Sequence, residues 1–519
     1  MVKVSTSTPL AAGARAPLAG HAHATRYRGA SAGLLLPLLA VLSGACAINE
    51  RDIETWKGTV KGPGKIVAVL QSERYALPLR SQAALALVEV DRSDIDGVVE
   101  LNHALQTLPE ARRSVVLGAL VPRLVEVLRA GHKPDEEVSA VDRALQVRAK
   151  DAAYMLVNET PAADRAVLVE AMTGWYAADF DRRALAGNHS VEQVMRRLGP
   201  ESAMDFVEAM RSDMPAAALV KATQLIAEVG NEDARKKAAT KLVALFKEMS
   251  SEAYMKRLEG RVKEQVERTG GDTSEARIKS IAKLNQVAFV IDGALGAMKH
   301  VSSHEPVRSF LKELAFSDAT GDEAQEMRKQ ALASLANQLT ESSVEPLLAL
   351  ATNEAQPSAV RDLAFDRLAD LRSLQAVEAL WPLVESASDN RVRWRAAEIA
   401  LASGGTKGVP TFFDKLPDGP SVGYTEDELE MYVTRLVQLS PSPKSEVIKQ
   451  LRSPKWFNRV IALRFLAREG SKEQLAAVER LTNDAAKPRG DYWDPELTVG
   501  KIAKGAVAEL KSRTEEPKS

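Results

Sequence analysis

Apolar residues along most of this chain return every three or four positions. In RSVVLGALVPRLVEVLRAG (Arg113 to Gly131), Val116, Leu120, Leu124 and Leu128 stand four apart, and the run stops at Gly131. Such spacing lays one apolar stripe along a helix, and a glycine just past the last periodic residue ends it. EDARKKAATKLVALFKEM (Glu232 to Met249) and SEARIKSIAKLNQVAFVIDGALGAMKH (Ser274 to His300) repeat the pattern, with breakers such as GHKPD, RTGGDTS and SPSPK between helices. No alternating strand pattern of comparable length occurs, so the chain is expected to be all-α from about Asp52 onward.

A longer period lies over the helical one. MRKQALASLA from Met327, VRDLAFDRLA from Val360, VRWRAAEIAL from Val392 and NRVIALRFLA from Asn458 each carry arginine in second place. Arg328, Arg361, Arg393 and Arg459 are 33, 32 and 66 residues apart, the last interval being two periods. Ala331, Ala364, Ala396 and Ala462 follow three positions later, and Leu335, Leu368, Ala400 and Leu466 seven positions later, all on one helical face. Sixteen residues after each arginine comes Val344, Val377, Val409 or Leu475, and three further on Leu347, Leu380, Phe412 or Val478. Turns such as TESS and SGGTKG lie between these landmarks, so each unit is predicted to be helix, short turn, helix. A unit this small covers its apolar faces only by stacking on its neighbours. YTEDELEMYVTRLVQL (Tyr424 to Leu439) sits where the missing unit belongs, with Glu426 in place of the arginine.

The pattern resembles the HEAT repeat, the helix-pair unit of α-solenoids, over roughly residues 305–485. RSQAALALVEV from Arg80 and RKKAATKLVAL from Arg235 keep the same offsets upstream, and Asp322 and Asp389 loosely match the acid that family units often carry before the basic residue. The resemblance implies an α-solenoid, period about 33, whose repeated arginines are structural groups between units. Trp381, Trp394 and Trp456, beside or within the landmark helices, are expected in the core. The expected organisation is a signal peptide over 1–45, a spacer over 46–60, an irregular helical-repeat region over 61–300, the HEAT-like region over 301–485, and a C-terminal helix with a polar tail over 486–519.

Composition agrees with packed helices: aromatics make up 5% and charged residues 27%. Formal net charge is −1. Lys3, Arg15, Arg26 and Arg28 are the only charged residues before Glu50, so without them 65 basic residues of the 69 face 70 acidic ones. That balance carries no general footprint for nucleic acid. A single cysteine, Cys46, excludes an internal disulfide framework and any multi-thiolate metal site.

Cys46 ends a signal-like stretch. The first 29 residues are basic and acid-free, LLLPLLAVL (Leu34 to Leu42) follows, and SGACA leads out. A nine-residue apolar run that includes Pro37 falls short of the ~20 that span a membrane. SGAC resembles the lipobox of bacterial lipoproteins, which implies a diacylated Cys46 as first mature residue; Ser43 stands where that family usually has leucine. Ala47, rather than the aspartate that retains some lipoproteins in the inner membrane, then favours the outer membrane. Two other readings stay open: Ala45-Cys46-Ala47 as an A-x-A cleavage site, and an organellar transit peptide.

Recognisable chemistry is sparse. GPGK (Gly62 to Lys65) fails as a phosphate loop because Thr59 and Ile66 replace the required residues, and a Pro/Gly turn is expected there. His300 and His304 have zinc spacing without a third ligand or an HExxH glutamate. No GxSxG elbow occurs, and DYWDPE (Asp491 to Glu496) lacks EF-hand spacing and reads as a turn or cap. No catalytic, metal or cofactor site is assigned. The expectation is an exported, lipid-anchored, non-enzymatic scaffold that binds another protein in the cell envelope and no nucleic acid. An enzyme accessory or HEAT-like lyase would need a deep polar pocket. A peptidoglycan- or polymer-binding envelope protein would need a continuous polar or aromatic groove.

Overall fold

The computed structural model describes residues 48–515 apart from Ser388, Pro420, Ser421, Asp491 and Tyr492. The signal-like run, Cys46 and the last residues of the polar tail lie outside the described residues. Among those described, helix follows helix, and the only β pairing is an isolated bridge between Arg92 and Ile95.

The stripe at offsets three and seven from each arginine forms the centre of the C-terminal region. Ala331, Ala364, Ala396, Ala462, Leu335, Leu368, Ala400 and Leu466 are all at 0% exposure. Helices Asp322–Ser334, Ser358–Leu371, Asn390–Gly404, Glu426–Val437 and Trp456–Glu469 stack side by side as one layer. The alanines allow this, because a methyl group at the contact lets neighbouring helix axes approach closely. Glu426–Val437 fills the place of the arginine-free unit, with Leu429, Tyr432, Val433 and Leu436 buried. The intervening helices, among them Val344–Thr352, Leu374–Ser386 and Val409–Lys415, form the second layer.

The tightest pairs differ from the expected unit. Val344–Thr352 packs most closely on the helix that follows it, Ser358–Leu371, and Leu374–Ser386 packs on Asn390–Gly404. The connection at 353–357 reverses the chain sharply and ends in Pro357, whose fixed φ sets the start of the next helix. The compact hairpin is therefore short helix, turn, arginine helix, rather than the reverse order.

The layer continues into the N-terminal region. Leu77–Glu89, Glu110–Ala130, Ala162–Ala178, Pro200–Ala209, Glu232–Met249 and Glu305–Ala315 contact one another in that order, and the last packs on Asp322–Ser334. One buried apolar cluster runs from Ile53 to Leu510. The chain is an all-α solenoid of stacked helices. Segment 46–60, expected as a spacer, contains helix Glu50–Lys57 instead. Asn49 and Asp52 form a capping box at its start, and Ile53, fully buried, pins it to the stack.

One element leaves the file. Glu252–Thr269 and Glu275–Ala288 pack chiefly on each other as an antiparallel hairpin between Met249 and Phe289. Ser251 caps the first helix, and Gly270 ends it at φ +68°, a left-handed turn that glycine takes without strain. Residues 263–277 are exposed except half-buried Val266, so the tip projects from the body. The second helix continues through a π-helical segment, Phe289–Leu295, to Val301. There Gly293 lets the backbone approach Ala216: a Cβ would sit 3.4 Å from the Ala216 Cα.

Candidate interaction surface

The repeated arginines point inward. Arg361 Nε donates to the Ala351 carbonyl at 3.1 Å, and its Nη2 pairs with Asp389 at 2.9 Å. Arg393 holds Glu428 at 3.0 Å, with Tyr432 Oη donating to the same carboxylate at 2.9 Å and the Tyr424 ring 4.9 Å from the guanidinium. Burial opposes the charge on Arg393, but Glu428, then Tyr432 and Tyr424, outweigh it and raise its pKa. Arg459 pairs with Asp484 at 2.8 Å. Arg328 bonds only neutral groups. These side chains join successive helices and form no ladder on the surface.

A second set of charges runs across the outside of the same layer. Arg391 meets Asp362, Arg395 meets both Asp366 and Glu398, and Arg435 reaches Glu398 from the next helix. Further on, Arg464 meets Glu426 and Glu430, and Arg468 also meets Glu430. Apart from Arg395 with Glu398, which lie on the same helix, each bridge links one stacked helix to its neighbour, so this face is occupied by its own ion pairs.

The hairpin base is different. A crevice of about 700 Å³ separates its first helix from Glu232–Met249 and the loop at 210–213. Tyr254 Oη donates to the Ser212 carbonyl at 2.7 Å, and burial raises the phenol's pKa. Glu248 accepts from Arg257 at 2.6 Å and from Ser212 Oγ at 2.7 Å; these bonds, Arg257 first, hold its carboxyl below the ordinary value. Lys241 donates to the Glu208 carbonyl at 2.6 Å, and desolvation lowers its pKa. Arg261 lies 6.0 Å from the Tyr254 ring, and Arg261 and Glu264 make no ion pair among the described residues. Gly260 faces this crevice with nothing within 4 Å of the place a Cβ would take. A mid-helix glycine costs about 1 kcal/mol against alanine. Gly118 and Gly505, also inside helices, face open space too, but neither lines this crevice.

Two buried charges that the sequence pattern did not reveal tie down N-terminal loops. Lys150, fully buried, donates to Asp151 at 2.5 Å and to the carbonyls of Ala186 at 2.8 Å and His189 at 2.5 Å. Desolvation lowers its pKa. Arg183 reaches Asp135 and the carbonyls of Gly131, Lys133 and Trp175, and its guanidinium lies 4.7 Å from the Trp175 ring centroid. Every donor in both knots is used, which makes them fasteners rather than reactive groups.

The remaining motifs take structural places. His300 ends one helical run and His304 begins the next as N-cap residue, so the two do not share a helical face. No cluster of three or more His, Cys, Asp or Glu side chains suited to a metal occurs among the described residues. Gly62 to Lys65 opens helix Gly62–Gln71 after turns at Thr59 and Gly62, and Lys65 stacks on Trp56 at 5.2 Å. Trp381 and Trp456 are buried, and Trp394 is half-buried. In the DYWDPE stretch, Asp491 and Tyr492 lie outside the described residues. Trp493 is buried against Trp456 and donates to the Tyr424 carbonyl at 2.5 Å.

No family model matches the chain, and no curated protein matches it. Solved structures of solenoids overlap it weakly. The crystal structure of Kap121p bound to Ste12p shares 14% identity over 91% of this chain and 52% of that one, with a TM-score of 0.30. The Kap95:Nup1 complex shares 13% identity over 93% and 69%, at 0.27. The Puf3 RNA binding domain shares 12% over 86% and 98%, at 0.19. The chain thus spans about half the length of Kap121p. At such scores the overlaps carry no argument of their own, and the solenoid architecture rests on the helix stacking described above.

Proposed function

We propose that this chain is an exported, non-catalytic HEAT-like scaffold, held at the cell envelope by a lipid on Cys46, that docks another protein at the base of its projecting hairpin. One observation carries the docking site: a helical hairpin leaves an otherwise continuous helix file and opens a crevice of about 700 Å³ beside itself. The outer face of the C-terminal layer is crossed by ion pairs within the chain, whereas Arg261 and Glu264 make no ion pair here among the described residues. Binding spread over such a surface draws affinity from many modest contacts around a few anchors, and Tyr254 with Leu245 supplies an apolar floor.

Site-specific photo-crosslinking tests this reading. A photoreactive residue in place of Arg261 is expected to give one discrete protein adduct in cells, while one in place of Val60, in an exposed turn near the start of the array, gives none. Adducts equally abundant at both positions, or at neither, sink the docking assignment. Envelope anchoring is tested separately by the intact mass of the mature chain. An acylated chain beginning at Cys46, lost in Cys46→Ala, supports it; an uncleaved Met1 overturns it.

A further inference from the structure

Three of the four repeat arginines carry a carboxylate: Arg361 has Asp389, Arg393 has Glu428 and Arg459 has Asp484. Arg328 has none among the described residues, although it is only 2% exposed. Its terminal nitrogens donate to neutral oxygens: Gln325 Oε1 at 2.8 Å, Gln356 Oε1 at 3.0 Å, and the carbonyls of Ser317 at 2.5 Å and Ala319 at 3.0 Å. Its Nε is buried without a partner. Gln356 follows Arg328 by 28 residues, the same offset that places Asp389 after Arg361. An uncharged amide thus stands where the neighbouring joint has its acid. A buried cation held by dipoles alone lacks the Coulombic return that offsets its desolvation.

Space for an anion lies alongside. A crevice of about 610 Å³ opens between the loop at 316–321, the start of Asp322–Ser334 and helix Val344–Thr352. Arg328 is the only cation in its lining, and Asp318, exposed and not paired with Arg328, the only acid. Pro346, Ala349 and Leu350 give it an apolar wall. Arg80 is also buried without a carboxylate, but it lines none of the described crevices.

We infer that this crevice receives an acidic side chain from a partner protein, whose carboxylate displaces the Gln356 amide and completes the missing guanidinium–carboxylate joint. The apolar wall favours a peptide segment over a free anion. The chain's slight net negative charge supplies no general pull on acidic peptides, so recognition is local. The inference rests on the scaffold reading above but concerns a crevice that shares no lining residue with the one at the hairpin base.

Because Arg328→Ala strips four hydrogen bonds from the unit and confounds binding with folding, the decisive variant is Gln356→Glu, nearly isosteric and carrying its own counter-charge. It is expected to raise the melting temperature by about 2 °C. Calorimetric titration at low salt then compares a capped tetraglutamate peptide with capped tetraglutamine. Wild type should prefer the acidic peptide at least about tenfold, and Gln356→Glu should lose that preference. An unchanged or lower melting temperature, or the same peptide preference in both proteins, overturns the site. Glutarate binding as tightly as the peptide overturns the partner segment as its occupant, whatever the hairpin cross-link shows.

Discussion

The region from Glu305 onward and the region from Gly62 to Val301 belong to one file of helices, yet they secure their polar interior differently. In the C-terminal region the same residue type at the same repeat position joins successive units, except at the arginine-free one, as in Arg361 with Asp389 and Arg393 with Glu428. In the N-terminal region, single buried cations fasten individual loops: Arg183 the turn after Gly131, and Lys150 the segment from Ala186 to His189. A periodic joint is shared among several copies, so losing one weakens one interface. A single fastener has no copy. Where units vary, stability therefore concentrates in a few residues.

The contrast can be broken most severely at Arg183. Arg183→Ala leaves Asp135 and three carbonyls without their donor and is expected to cost about 3–5 kcal/mol, read as a lowered urea midpoint. A cost under about 1 kcal/mol, the range of an exposed pair, would show that the loop holds without it. Next is Glu428→Ala, which strands buried Arg393 at a cost of about 3 kcal/mol. The double replacement Arg393→Met with Glu428→Leu should recover most of that loss, since an apolar pair needs no counter-charge. Failure to recover would mean that Tyr424 and Tyr432 depend on the charges for their placement.

A smaller effect appears in acid. Burial alone would raise the Asp389 carboxyl, but the Arg361 guanidinium and the Arg391 backbone N–H outweigh it and hold it below its ordinary value. A depressed carboxyl stabilises the fold fully above the unfolded pKa of about 3.9, and that contribution disappears as pH falls through the lower folded value. Asp389→Asn should therefore lose less stability than wild type between about pH 5 and 2, measured as urea midpoints; parallel curves would show the joint to be inert. Smallest is Arg395→Ala on the outer face, expected to change stability by about 0–1 kcal/mol. A larger loss would mean that this row acts as a network.

Much of the C-terminal region was legible because repetition amplifies a weak signal. A three-residue coincidence of Arg, Ala and Leu means little once, but at 33-residue spacing it reports a shared environment, and the eight stripe residues are all fully buried. Glu428 was harder to see: it lies 35 residues after Arg393, whereas Asp389 lies 28 after Arg361, so no fixed offset reveals it. Lys150 and Arg183 left no periodic trace at all. The hairpin was legible as helix but not as a projection, since Tyr254, Leu258 and Val262 form the stripe of any amphipathic helix. What lay hidden was the partner of that stripe: the stack at Tyr254 alone, then chiefly the helix beyond Gly270.

The outer row of guanidinium–carboxylate bridges also sets how readily the array bends. Flexing a stack of helices changes the gap between neighbours most at its outer surface, and each bridge there acts as a short tether across one gap. Screening acts over about 8 Å at physiological ionic strength and over less as salt rises, and it reaches these half-buried tethers in part. The stiffness of this solenoid is thus a property of its solvent as well as of its sequence: tight in dilute buffer, more compliant in brine, with its core packing unchanged.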